Sequence, residues 1–238
     1  MKKQAHIYLF CATGAFLTIE ALLGLLLQTA SGRAVSLYSY ASVLLACLFC
    51  AVLALPTRAY LFTQLGLLFT VGADYFLVYL PVQKKLPAML LFLAAQLCYY
   101  LRLRTAERRG LRRKHALCRV GASLLALLLT VAVLRENADA LALVSMLYYT
   151  NLILNIVFAF TLSERLPLFA IGLTLFLCCD TLIGLSLLGT YFPIDKGSLL
   201  YRIVYPGFNL AWAFYLPSQA LIAISLLPQR LRAKGVCQ

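Results

Sequence analysis

Apolar runs of roughly 18 to 25 residues recur from one end of this 238-residue chain to the other, each long enough to cross a ~30 Å hydrocarbon layer as a helix rising about 1.5 Å per residue. Eight can be traced, over residues 6–28, 35–55, 60–80, 86–103, 116–134, 140–162, 166–189 and 205–227. Within them the apolar residues are continuous, whereas a membrane barrel strand alternates apolar and polar positions. The connectors are too short to hold a soluble domain. Only 12% of residues are charged, about half the share of an ordinary soluble domain. The expected fold is all-α: one polytopic membrane helical bundle of about eight transmembrane helices, occupying residues 1–238.

Orientation follows from the basic residues at the span ends. With the N-terminus inside, the inner segments hold Lys2, Lys3, Arg58, Arg102, Arg104, Arg108, Arg109, Arg112, Arg113, Lys114, Arg119, Arg165, Arg230, Arg232 and Lys234, which is 15 of the 21 Lys and Arg. Both termini are therefore expected on the cytoplasmic side of a multi-pass integral membrane protein, with a basic cytoplasmic loop over residues 104–115. The net charge of +13 is concentrated in that loop and at the span flanks. It reads as topology plus attraction to anionic membrane lipids at the inner leaflet, and not as a nucleic-acid surface. The first apolar run is too long for the core of a cleaved signal peptide and carries Glu20, so it reads as a span.

Six of the eight cysteines, Cys11, Cys47, Cys50, Cys98, Cys178 and Cys179, fall inside spans, where they act as small core residues instead of an extracellular disulfide framework. The two histidines, His6 and His115, fit no zinc spacing. No metal and no cofactor is implied.

Eight acidic residues are present, and five of them lie in connectors or at span ends. Glu20, Asp74 and Asp180 instead lie inside the first, third and seventh spans, about six to nine residues before their ends. These odd-numbered spans run in the same direction, so the three carboxyls share a level roughly 9–14 Å below the outer helix ends. An ionised carboxylate in hydrocarbon costs at least ~2.5–3.5 kcal/mol, and such residues usually face a bundle interior or a wet cavity. The three are expected to point inward.

The even-numbered spans supply polar company. Gln96 lies one turn from Tyr99 and Tyr100; Tyr148, Asn151 and Asn155 follow 3-then-4 spacing; Asn209, Trp212, Tyr215 and Gln219 fall at 3, 3 and 4. Each set occupies one helix face. The alternative reading of these amides and phenols is helix-to-helix glue, worth about 0.6 kcal/mol per contact. A weak internal repeat of four spans each is also visible, pairing Asp74 and Gln96 with Asp180 and Gln219.

The segments "GADYFL", "FLAAQLCYYLRL", "GLTLFLCCDTLIGL" and "FYLPSQALIAISL" resemble, in that order, the signature segments of the YhhN family, whose characterised members are lysoplasmalogenases. The resemblance spans nearly the whole chain. It implies that Asp74 and Asp180 are the catalytic acids, that Tyr99 is the tyrosine of the fourth helix, and that Tyr215 and Gln219 are the pair on the eighth. Three positions depart from the pattern: Ala73 replaces a glycine, Gln96 stands where histidine is common, and Cys179 stands where serine precedes the second acid. An amide at position 96 cannot titrate as imidazole does near neutral pH, so a proton-shuttle role there is not expected.

The resemblance further implies hydrolysis of the vinyl ether of a lysoplasmalogen-type lysophospholipid, giving a fatty aldehyde and a glycerophospho-headgroup compound. That chemistry needs one protonated carboxyl and one carboxylate, as in glycosidases, and two inward-facing acids sharing one proton meet the need. Tyr99, Tyr148, Asn151, Asn155, Gln96, Tyr215, Gln219 and Glu20 are the candidates for contacts with substrate or water. Two readings compete with the hydrolase: a proton-coupled transporter or lipid-binding protein, since intramembrane acids also relay protons, and a noncatalytic scaffold in which the acids are neutral hydrogen-bonding groups.

Overall fold

The computed structural model describes residues 2–107, 109–162, 166–188, 195, 197–204 and 208–227, with the side chains of 2–6, 109, 187, 188, 200 and 204 left aside. In chain order the helices are α1 (Lys2–Thr29), α2 (Arg33–Leu53), α3 (Arg58–Asp74), α4 (Lys85–Ala106), α5 (Arg109–Leu134), α6 (Ala140–Thr161), α7 (Pro167–Leu188), the short α8 (Leu199–Val204) and α9 (Leu210–Ile224). No strand occurs among the described residues. Seven helices are long and apolar enough to cross a membrane, and α9 is a shorter apolar helix of 15 residues. The eighth expected span thus appears as α9 together with its flanks, of which residues 205–207 lie outside the described part.

Apolar side chains cover the outside of the molecule as well as its inside. On α1 and α5 only 11% of the most apolar stretch is buried, against 33–44% on the other five long helices. Leu117, Val120, Leu124, Leu125, Leu128 and Val131 of α5 are all exposed, a pattern that suits hydrocarbon surroundings. Helix α5 packs on α6, and α1 packs on α2 and α9, so these two form the rim. Helices α2, α3, α4, α6, α7 and α9 form the interior, with α3 along α4 and α7 along α9 as the most extensive pairings.

Two glycines explain the closeness of those pairings. A Cβ placed on Gly66 of α3 would lie 2.3 Å from Cε1 of Tyr99 on α4, so the phenol ring rests directly on the α3 backbone. On α7, a Cβ at Gly172 would sit 3.1 Å from the Ser218 carbonyl oxygen and the Ile222 nitrogen of α9. The two helices meet there almost backbone to backbone.

Helix ends follow from local chemistry. Thr57 caps α3 by accepting from the Tyr60 amide at 3.2 Å, and Asp139 caps α6 by accepting from the Ala142 amide at 2.7 Å. Helix takes up most of the segment 104–115 expected as a loop: α4 continues to Ala106, Glu107 stands at the break, and α5 starts at Arg109. Arg, Lys and Leu are strong helix formers, so a segment too polar for hydrocarbon still continues as helix beyond it. The break is pinned by Glu107, whose Oε1 lies 2.6 Å from His115 Nδ1 while the imidazole stacks on Phe158 at 4.1 Å.

Helix α3 does not end cleanly. After Asp74 the chain winds into a π-helical turn over Tyr75–Tyr79, closed by the Leu80 amide donating to the Tyr75 carbonyl at 3.0 Å. Such wide turns are rare and often accompany functional sites. This one begins at the carboxylate.

Candidate active site

Asp74 is the last residue of regular α3, and only 2% of its surface is exposed. Burying a carboxyl in an apolar bundle is costly unless a partner is supplied. The partner comes from α9, where the Tyr215 hydroxyl donates to Oδ2 of Asp74. Asp180 lies on α7 and is half-buried. Its Oδ2 accepts from the hydroxyl of Tyr148 on α6. Each acid therefore holds one phenol, and each phenol is itself buried.

Both pairs line one cavity of about 480 Å³. That size falls within the ~300–1,000 Å³ range of small-molecule sites. Apart from these four groups its walls are mostly apolar: Leu77 and Val78 from the wide turn, Met89 and Phe92 from α4, Met146 from α6, Ile183 and Leu185 from α7, and Trp212 from α9. The floor is aromatic. Ring contacts at 5.5–5.9 Å run from Tyr148 to Phe92, Phe176, Tyr215 and Trp212, so the two phenols are held by one packed row. Rigid support of this kind keeps each hydroxyl aimed at its acid.

The remaining sequence candidates fall elsewhere. Asn151 and Asn155 of α6 accept from the guanidinium of Arg119 on α5, the second at 2.7 Å. Asn155 Nδ2 in turn donates to Oε1 and to the backbone carbonyl of Gln96 on α4, both at 2.9 Å. This buried ladder ties α4, α5 and α6, with Arg119 also lying 4.1 Å over the Tyr100 ring. None of Gln96, Asn151 and Asn155 lines the cavity. Tyr99 is fully buried against Gly66, and Gln219 donates to Ser218 Oγ at 3.1 Å. Glu20 accepts from Ser42 at 2.6 Å between α1 and α2, away from the other two acids. Of the three acids expected at one level, two line one cavity and the third lies outside its wall.

Sequence reasoning missed several lining residues. Ser145 and Tyr149 of α6 line the cavity beside Tyr148, and Thr181 and Gly184 of α7 line it beside Asp180. The Tyr149 hydroxyl and Thr181 Oγ1 are 2.8 Å apart, which joins the two helices beside the Tyr148–Asp180 pair. The i to i+4 spacing from Asp180 was a usable signal for Gly184; nothing marked Thr181, or set Ser145 apart from any other small residue in a span.

The sequence profile of the YhhN family matches residues 36–226, which carry both acids, both phenols and the whole cavity wall. The chain belongs to the YhhN family. No curated protein and no solved structure matches it. Of the three further positions singled out in the sequence, Cys179 is 1% exposed and lines the cavity beside Asp180, Ala73 is buried next to Asp74, and Gln96 is bonded into the Arg119 ladder. Helix α1, with Glu20, precedes the part matched to the YhhN profile.

Proposed function

We propose that this YhhN-family protein is an integral-membrane hydrolase of ether lysophospholipids that opens the vinyl ether of a lysoplasmalogen. The observation that carries the reading is the pair of phenol-held aspartates lining a single apolar-walled cavity. Each acid has a distinct role. Asp74, enclosed by α3 and α9, delivers a proton to the β-carbon of the vinyl ether, leaving an oxocarbenium ion at the α-carbon. Asp180, on the more open side, faces that cation as a carboxylate and takes a proton from the water that adds to it. The resulting hemiacetal collapses: its hydroxyl proton leaves, the carbonyl of the aldehyde forms, and the glycerol oxygen departs carrying a proton. One water is consumed, and the pair regains its single shared proton.

Within this reading the apolar walls hold the alkenyl chain. Tyr148 and Tyr215 orient the two carboxyls, and Tyr149 and Thr181 offer hydroxyls to water or glycerol oxygens. The test is incubation of the purified protein with alkenyl, alkyl and acyl lysophospholipids. Aldehyde should come from the alkenyl lipid alone. Undiminished release by both Asp74→Asn and Asp180→Asn would sink the assignment.

One observation favours a second reading. The wide turn after Asp74 is a helix irregularity of the kind that lines ion paths in membrane transporters. A transporter would show solute uptake into proteoliposomes driven by a pH gradient and no aldehyde release in detergent.

A further inference from the structure

A second cavity, of about 600 Å³, lies between α1 and α9. One wall is the face of α1 that carries Leu17, Glu20, Gly24 and Gln28; the other is the face of α9 that includes Trp212, Ala213 and Leu216. Trp212 lines this cavity and also the one that holds the two aspartates, so the two walls share this residue. The same ring packs edge-on against Tyr215 at 5.5 Å.

The polar inventory of this cavity selects its occupant. Among the described residues no Lys or Arg lines it and its one ionisable group is a carboxyl, so no described group there balances a phosphate. Glu20 is 6% exposed, and its two oxygens differ: Oε2 accepts from Ser42, while Oε1 is buried without a partner. With Oε2 committed as acceptor, a proton on the carboxyl belongs on Oε1, from which it can donate to a small oxygen acceptor. An apolar groove beside one such donor suits an uncharged single-chain lipid whose head is a single oxygen.

We propose that the α1–α9 cavity is a binding site for a long-chain fatty aldehyde, reached from the aspartate cavity past Trp212 and leading to the surrounding lipid. This rests on the hydrolase reading, which supplies that aldehyde as product. Release through this route separates the apolar product from the charged headgroup compound, which has no place between α1 and α9. Glu20 receives the carbonyl, and Gly24 leaves room for the chain: a Cβ there would meet only Leu216 Cδ2, at 3.9 Å.

Trp212 is the sole tryptophan of the chain, so its fluorescence reports on the wall the two cavities share, and variants on each side tell them apart. A fatty aldehyde brominated on its chain, titrated into the purified protein in detergent, should quench Trp212 saturably. Gly24→Phe, and independently Ala213→Phe at an exposed position, should raise the half-quenching concentration about tenfold by filling the α1–α9 cavity. Glu20→Leu should weaken binding severalfold. Gly184→Phe, whose new side chain enters the aspartate cavity, should leave the quenching unchanged. No saturable quenching in the parent protein, quenching indifferent to both Gly24→Phe and Ala213→Phe, or quenching abolished by Gly184→Phe would each overturn the site. Because the titration uses the aldehyde itself, it needs no cleavage: the hydrolase reading fails on aldehyde release, and this one fails on Trp212.

Discussion

Asp74 follows Gly66 by eight residues in "GLLFTVGAD" on α3, and Asp180 follows Gly172 by eight in "GLTLFLCCD" on α7. In both helices the glycine marks where a neighbour comes closest, Tyr99 of α4 in one case and the α9 backbone in the other. The carboxyl then lies about 12 Å farther along its helix. Beyond the acids the two helices diverge. Helix α3 widens into its π-turn at once, whereas α7 stays α-helical as far as Leu188. Asp74 is sealed, with its phenol reaching across from α9; Asp180 is half-open, with its phenol coming from the neighbouring α6. A shared spacing thus brings two acids to one cavity, and the local backbone gives them unequal access to it. Unequal access is what an acid and its partner base require.

The largest effect should come from removing either acid. Asp74→Asn and Asp180→Asn are each expected to lower aldehyde release by roughly 10²–10⁴-fold, the usual worth of a positioned acid or base, while the protein still inserts and elutes as folded material. Equal residual rates in the two variants would mean that the pair acts as one unit. A lower rate for Asp74→Asn would assign it the harder step, carbon protonation.

The phenols sharpen the comparison. Tyr215→Phe takes away the hydrogen bond that holds Asp74, which is only 2% exposed, so the loss should approach the ~1.5–3 kcal/mol of a hydrogen bond to a charged partner, roughly ten- to hundredfold in rate. Tyr148→Phe uncovers an acid that cavity water can reach, and its loss should be smaller. Rates measured on the same alkenyl lysolipid would reverse this order if Asp180 were the enclosed member.

The glycines test the common plan. Gly66→Ala drives a methyl group into the buried Tyr99 ring, and an overpacked core typically costs about 1–3 kcal/mol. Gly172→Ala meets α9 at 3.0–3.1 Å, a gap that closes with a shift of a few tenths of an ångström. Thermal unfolding in detergent should therefore show a larger drop for Gly66→Ala. Equal drops would remove the distinction between a ring seated on a helix and two backbones in contact.

Much of this architecture was legible in advance because hydrocarbon leaves few options. A long apolar run must be helical, and an acid within it must find company, which is why Asp74 and Asp180 stood out. The amides did not separate in the same way. Periodicity places Asn151 and Asn155 on the face of α6 that also carries Tyr148, but it does not say which neighbour meets that face at each level. Tyr148 meets Asp180 on α7, while Asn151 and Asn155 meet Arg119 on α5. Arg119 itself read as a boundary charge, since a guanidinium beside a basic segment looks like a marker of orientation. Its stacking on Tyr100 and its two amide partners are tertiary facts with no trace in local spacing. The wide turn after Asp74 was equally silent, because "YFLVY" is as good a sequence for an ordinary helix.

The smallest expected effect concerns a position in the buried ladder, away from the cavity. Gln96 is bonded to Asn155 within the Arg119 ladder and does not line the aspartate cavity. On the hydrolase reading, its amide is then expected to carry no proton for the reaction. Gln96→His should leave the rate of aldehyde release, and its dependence on pH, close to those of the parent protein. The cost should appear instead in stability, because imidazole cannot accept from Asn155 with the same reach and α4 loosens from α6. Turnover at several pH values and a melting curve on the same preparation would read both. A pH profile reshaped by histidine at this position would bring residue 96 into the chemistry, and the separation between cavity and ladder would fail with it.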